Sequence, residues 1–374
     1  MKRTRTILFL FLLAVTLTFT AQAEQADEWD SVSETFDLDS LTEATPDDVV
    51  TIVEELDILP DDAEGSDTIS LLDAVKARML TLFSQELAPL RTLRVLIGLS
   101  LLAFVGKAIA GHSDCWQYKT AEMLIMIACG VLLMSPLSDL FESVSESVRA
   151  SVIYQRALLP VYAGLLTASG HTTLSSVYSV LLLGYDQIVS TVNDQVFVPL
   201  CRMLLSLIIC LPMSGTQSFS LQAVRKGVVS VLTSLNGICT ALLMAQARVS
   251  AVTDRVVVKA TKASLAALVP IVGTTLSESL SVILNSIDLA KTTVGVYTIV
   301  TVTLLFLPPL IRLLLWKLSL WLSAALFDAV GANKEKTMIR SVSALLTILI
   351  SIALSCAVFL ILTSIIVMSA GVTS

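Results

Sequence analysis

Apolar residues in this chain gather into long blocks and seldom alternate with polar ones. Leu93–Ala110, Met123–Leu137, Val196–Met213, Val228–Ala247 and Val342–Ala370 are the clearest blocks. A helix of roughly 20 apolar residues crosses a bilayer's hydrocarbon layer, so these five predict membrane spans, the last one tilted. Val294–Leu315 predicts a sixth, kinked or ended at Pro308-Pro309, where two amide donors are lost. Leu158–Gly184 and Ala263–Asp288 are long enough but rich in Ser, Thr and Gly, and Leu313–Val330 carries Lys317 with Arg312 at its edge. The pattern therefore predicts an all-α polytopic bundle with six to nine membrane-embedded segments, not all of them full crossings.

Elsewhere the period is helical but one-sided. Ile69, Leu72, Val75, Met79, Phe83 and Leu87 recur at steps of three and four and predict an amphipathic interfacial helix over 68–92. Leu137, Phe141, Val144, Val148 and Val152 do the same among Asp139, Glu142, Glu146 and Arg149, which again predicts a helix lying in the interface. Thr274, Glu278, Ser281, Asn285 and Asp288 form the reverse pattern, a polar stripe opposite Leu276, Leu280, Ile283 and Ile287. A carboxylate facing acyl chains is costly, so Glu278 is expected to face protein or water. The stripe is a candidate polar path; a solvated face or a helix-packing stripe fits the same spacing.

The first 23 residues have the secretory layout. Lys2, Arg3 and Arg5 precede the apolar Ile7–Thr20, and Ala21-Gln22-Ala23 supplies a small-x-small cleavage pattern. Cleavage after Ala23, or retention as an anchor, leaves Glu24 onward outside the cytoplasm. Residues 24–67 hold 17 of the 31 acidic residues and no Lys or Arg, so a largely disordered extracytoplasmic segment is expected there. The organisation read from the sequence is thus signal peptide 1–23, acidic segment 24–67, interfacial helix 68–92 and multi-span domain 93–374.

Composition sharpens this picture. The chain is 55% hydrophobic and 15% charged with a net charge of −7, yet from residue 68 onward 21 basic residues face 14 acidic ones. A negative arm and a mildly positive membrane part do not suit nucleic-acid binding. Residues 248–262 and 331–340 are basic, and the excess of positive charge on cytoplasmic loops places both in the cytoplasm with an even number of crossings between them. Arg91 and Arg94 run against that rule. The six cysteines include no C-x-x-C pair, so neither a zinc site nor a disulfide framework is indicated.

Candidate chemistry is sparse. There is no zinc-protease helix, phosphate-binding loop or nucleophile elbow, so no catalytic residue, cofactor or metal ligand is assigned and no enzyme is expected. His112 reads as a loop residue. Ser169, Gly170 and His171 sit inside an apolar segment and form a candidate intramembrane polar site, with a helix-to-helix hydrogen bond as the plainer role. Asp186 and Asp194 do not suggest an aspartate pair. A proline echo is also visible, with Pro160 and Pro199 followed by Pro270 and Pro308, an arrangement some transport folds use as a repeat.

Leu158-Leu159-Pro160, Leu165-Leu166-Thr167-Ala168-Ser169-Gly170, Val269-Pro270-Ile271-Val272-Gly273, Leu276-Ser277-Glu278, Lys291-Thr292-Thr293-Val294-Gly295-Val296 and Pro308-Pro309-Leu310-Ile311 occur in an order that resembles the stage III sporulation protein AE family of endospore-forming bacteria. The likeness covers roughly residues 90–374 and leaves out the acidic arm. It implies a permease-like subunit in the mother-cell membrane around the forespore, within a channel-like assembly that includes a companion ATPase and a forespore partner. A scaffold without a transport path and a stand-alone small-solute permease are the alternatives. The lipid bilayer and further copies of the chain complete the expected partners.

Overall fold

A computed structural model describes residues 41, 43–46, 49, 50, 88–110, 116–210, 227, 230, 231, 234, 237–246 and 273–369. For 109, 110, 116–119, 210, 273–286 and 289 only the helix backbone is described. No strand occurs among the described residues. The long helices are α1 (Ala88–Ala110), α2 (Trp116–Ala168), α3 (Thr172–Thr191), α4 (Val198–Cys210), α5 (Gly273–Val330) and α6 (Asn333–Ser369). A π-helical turn, Val192–Phe197, carries α3 into α4 without a break. Five stretches among the described residues are long and apolar enough to cross a membrane, and Gly237–Gln246 is a shorter apolar helix.

Two helical hairpins make the core. α5 and α6 lie along each other over the greatest length, α2 packs against both, α3 and α4 cover α2, and α1 leans on α5 and α2. Leu345, Leu346, Leu349, Ala353 and Ala357 of α6 are wholly enclosed, whereas α1 exposes Leu101, Leu102 and Phe104. The apolar α6 is thus the bundle's axis and α1 a peripheral, lipid-suited helix. Gly130 lets α2 and α4 meet: a Cβ there would sit 2.6 Å from Ile209 Cγ2.

Both hairpin turns use the same chemistry. In the first, the Gly170 amide donates to Thr167 O and the His171 amide to Leu166 O, with Gly170 at φ +86°. In the second, the Gly331 amide donates to Asp328 O and the Ala332 amide to Phe327 O, with Gly331 at φ +74°. Each is a Schellman cap, in which a left-handed glycine turns the chain while two orphan helix carbonyls find donors. Lys107 of α1 adds a third donor to the second turn, 3.4 Å from Val330 O and 3.3 Å from Gly331 O.

Several expectations change. α5 runs unbroken through Pro308-Pro309, so Val294–Leu315, Leu313–Val330 and the described part of Ala263–Asp288 form one helix. Packing along α6 holds the helix where isolated prolines would break it. Leu137, Phe141, Val144, Val148 and Val152 belong to α2 and are buried in the core, so that stripe faces protein and the segment is part of one long helix rather than a separate one. Leu158–Gly184 is no single span, because the chain reverses at Ser169–His171. The proline echo has no structural counterpart: the turn at Gly170 would fall near residue 280, inside continuous α5. One unbroken helix, Gly273–Val330, precedes 331–340, and 248–262 lies outside the described residues.

The N-terminal expectations are touched at two points. Residues 88–92 are the start of α1, while the rest of 68–87 and the signal segment 1–23 lie outside the described residues. Of the seven described residues of the acidic segment, Leu41, Thr45 and Val49 are buried against the bundle. Thr45 Oγ1 donates to Leu41 O at 2.7 Å and lies 3.5 Å from the Tyr297 hydroxyl. At least this part of the segment is docked, since Leu41 and Val49 bring apolar side chains to a ready apolar face.

Candidate functional site

The richest polar constellation lies where α2 meets α3. These antiparallel helices face Arg149 and Arg156, seven residues apart, toward Asp194 and Asp186, eight apart. Arg149 Nε and Nη2 both reach Asp194 Oδ1 at 2.9 Å. Arg156 Nε lies 4.0 Å from Asp186 Oδ2, an ion pair without hydrogen-bond contact. The π-helical turn adds Asn193, whose buried Nδ2 donates to Ser145 Oγ at 2.9 Å and to Asp194 Oδ1 at 3.0 Å. Such single turns recur at functional positions because the extra residue re-aims side chains; here Asn193 and Asp194 both address α2.

Behind this seam is a layer of hydroxyls. Tyr154 donates to Thr298 Oγ1 at 3.2 Å, Tyr162 approaches the same atom at 3.5 Å, and Thr298 in turn donates to Val294 O at 2.8 Å. Tyr162 and Tyr178 meet edge to face, with centroids 5.8 Å apart, and Tyr185 stacks on Phe359 of α6 at 3.6 Å. The layer ties α2, α3, α5 and α6 together. Leaving one buried hydroxyl without a partner costs about 1–3 kcal/mol, so the layer fixes the helices' register. Beside it, an apolar cavity of about 550 Å³ is bounded by Val148, Tyr185, Phe197, Cys201, Ile352 and Cys356.

A second polar group closes the opposite end of the bundle. Lys334 pairs with Glu122 at 2.6 Å, and Lys336 and Arg340 both pair with Asp328, Arg340 at 3.7 Å. The basic stretch 331–340 is therefore largely matched by acids from α2 and α5. This is a charged cap on the second hairpin, not a set of free cations.

The sequence-predicted residues fall in two places. Ser169, Gly170 and His171 form the polar turn that ends α2, with Ser169 Oγ donating to Leu166 O and lying 3.2 Å from His171 Nδ1. They cap α2 and lie between two helices rather than within one. Of the stripe, Thr274, Glu278, Ser281 and Asn285 lie on the α5 backbone with side chains outside the described residues. Asp288 is described: its Oδ1 lies 2.5 Å from Lys291 Nζ, an ion pair by distance though not aligned as a hydrogen bond. Lys291 is buried, so the visible end of the stripe is internal pairing. Sequence reasoning missed the Arg149/Asp194 and Arg156/Asp186 ladder, although spacings of seven and eight on neighbouring helices were there to be seen. Among the described residues no group of three or more His, Cys, Asp or Glu could hold a metal.

The Schellman turn at Ser169–Gly170 and the buried Lys291 lie in two of the motif segments that carried the family likeness. The model of stage III sporulation protein AE matches residues 56–371, most of the chain. The chain belongs to this family. The match begins inside the acidic segment, earlier than the likeness read from motifs, and runs through all six long helices. No curated protein and no solved structure matches the chain. Family membership and the membrane-suited helices make this a multi-pass membrane protein of sporulation.

Proposed function

We propose that the protein is a subunit of a channel- or secretion-like complex linking mother cell and forespore, seated in the mother-cell membrane around the forespore. It catalyses no reaction; a companion ATPase supplies free energy and a forespore protein completes the conduit. The observation that carries this reading is the length and charge pattern of α2. The helix has 53 residues, about 80 Å at 1.5 Å per residue, against roughly 30 Å of hydrocarbon. Glu122 and Asp139 are separated by about 26 Å of helix, close to one hydrocarbon layer. Beyond that lie the exposed Asp139, Glu142, Glu146 and Arg149.

Lipid beside this charged stripe is excluded on cost. One apolar half of the bundle therefore sits in the bilayer and the other, carrying exposed Val180, Leu183 and Val196, stands outside it and requires protein to cover it. That arrangement suits a subunit better than a stand-alone permease. The test is purification of the tagged full chain from sporulating cells. The expected result is co-recovery of membrane companions and the ATPase, reduced for Glu142→Lys with Glu146→Lys at equal protein level. Recovery of the chain alone, together with solute flux by the chain alone in liposomes, would favour the permease. The unbroken packing of α5 on α6 supports a second reading, a scaffold without a path of its own. Loss of assembly with no conductance in the assembled complex would favour it.

A further inference from the structure

Asp186 is fully enclosed between α2 and α3, and neither carboxylate oxygen has a hydrogen-bond partner among the described residues. Arg156, its one cation among the described residues, stands 4.0 Å away on a side chain 53% exposed to solvent. Two further buried groups of the seam share this condition: the Gln155 Nε2 donor, adjacent to Arg156, and the Tyr178 hydroxyl. This contrasts with Tyr154, Tyr162 and Thr298 on the adjoining face, which are hydrogen-bonded to one another. A buried carboxylate needs about two or three hydrogen bonds or a close cation to stay charged at acceptable cost. A structural acid would have them; an acid that changes state need not.

We propose that Asp186 is a reversible proton-binding site in the α2/α3 seam, alternating between a carboxylate paired with Arg156 and a neutral acid. The proton comes from water and returns to it, and only an O–H bond is made or broken. The titratable and charged groups that interact with it are Arg156 from α2 and Tyr178 and Tyr185 from α3, while Cys356 from α6 and Cys239 from the Gly237–Gln246 helix adjoin Tyr185. Arg156 alone is cationic among these, so neutralising Asp186 releases Arg156 to solvent. That loosens one of two rungs between the helices while Arg149–Asp194 holds the other. The site therefore couples local proton availability to the seam that adjoins the apolar cavity. It does not depend on the proposed complex.

The experiment is pH-difference infrared spectroscopy of the full chain in lipid nanodiscs. Lowering the pH should raise a carbonyl band of a protonated carboxyl that is lost in Asp186→Asn and displaced in Asp186→Glu. The glutamate variant keeps the test decisive if the asparagine variant does not fold. Arg156→Gln, which removes the counter-charge from an exposed position, should enlarge the band at a fixed pH several-fold, and Arg156→Lys should restore it. Replacing choline by sodium should change nothing. Identical difference spectra for wild type and Asp186→Glu, or a band abolished by sodium, would overturn the proposal; the latter would assign the seam to a metal cation.

Discussion

Arg149 joins Asp194 through two nitrogens, Nε and Nη2, each 2.9 Å from the same carboxylate oxygen. Asp194 is placed there by the π-helical turn, which also directs Asn193 into Ser145. The pair is half exposed, so water and salt weaken its Coulomb attraction, and its main effect is to hold the turn in register.

A double-mutant cycle on Arg149→Ala and Asp194→Ala should give a coupling of about 0.2–1 kcal/mol, falling with added salt. Ser145→Ala should cost more than either, about 1–3 kcal/mol, because it takes a buried partner from Asn193. Denaturation in detergent reads both. A Ser145→Ala effect smaller than that of Arg149→Ala would contradict this order.

Glycines of α1 and α5 should respond oppositely to alanine. Nothing lies within 4 Å of a Cβ at Gly98, whereas one at Gly295 collides with the Met368 side chain. Gly98→Ala should stabilise by roughly 0.5–1 kcal/mol through helix propensity. Gly295→Ala should destabilise by about 1–3 kcal/mol through overpacking. Adding Met368→Ala to Gly295→Ala should recover part of that loss, and a strictly additive double variant would refute the contact.

The two Schellman turns cap opposite ends of the bundle, so Thr172 and Asn333 are expected on opposite sides of the membrane. With single cysteines at these positions in a cysteine-free background, an impermeant maleimide should label one from each side. Labelling of both from one face would overturn the arrangement. Lys107 reaches the Gly331 turn at the end of α1; if the arm ahead of α1 is outside, that turn is cytoplasmic.

Leu41, Thr45 and Val49 anchor part of the acidic segment to the bundle. Burying a Leu or Val side chain stabilises by about 1.5–3 kcal/mol, so Leu41→Asp with Val49→Asp should release this stretch. Limited proteolysis should then cut near residue 45 much faster than in wild type. Equal rates would mean that the anchor contributes nothing.

How much of this was legible in the residues differs by level. The apolar blocks predicted helices and membrane, and the stripe Leu137–Val152 identified the right face of α2. Periodicity, however, marks only which face is apolar, and lipid and protein are equally apolar covers. The same limit applies to Ser169-Gly170-His171: polar residues within an apolar run signal either a site or a turn. Only the positive φ of Gly170 and its two capping amides distinguish them.

Residue chemistry alone therefore determined what solvent the chain needs, where its charge lies and that its segments are helical, because hydropathy and 3.6-residue periodicity act locally along the chain. The tertiary structure decided the rest. Pro308-Pro309 remains helical because α6 packs beside it. Lys334, Lys336 and Arg340 are paired because Glu122 and Asp328 arrive from other helices. Asp186 is buried because α3 folds back on α2. Each of these outcomes depends on contacts between residues far apart in sequence, and no local pattern carries that information.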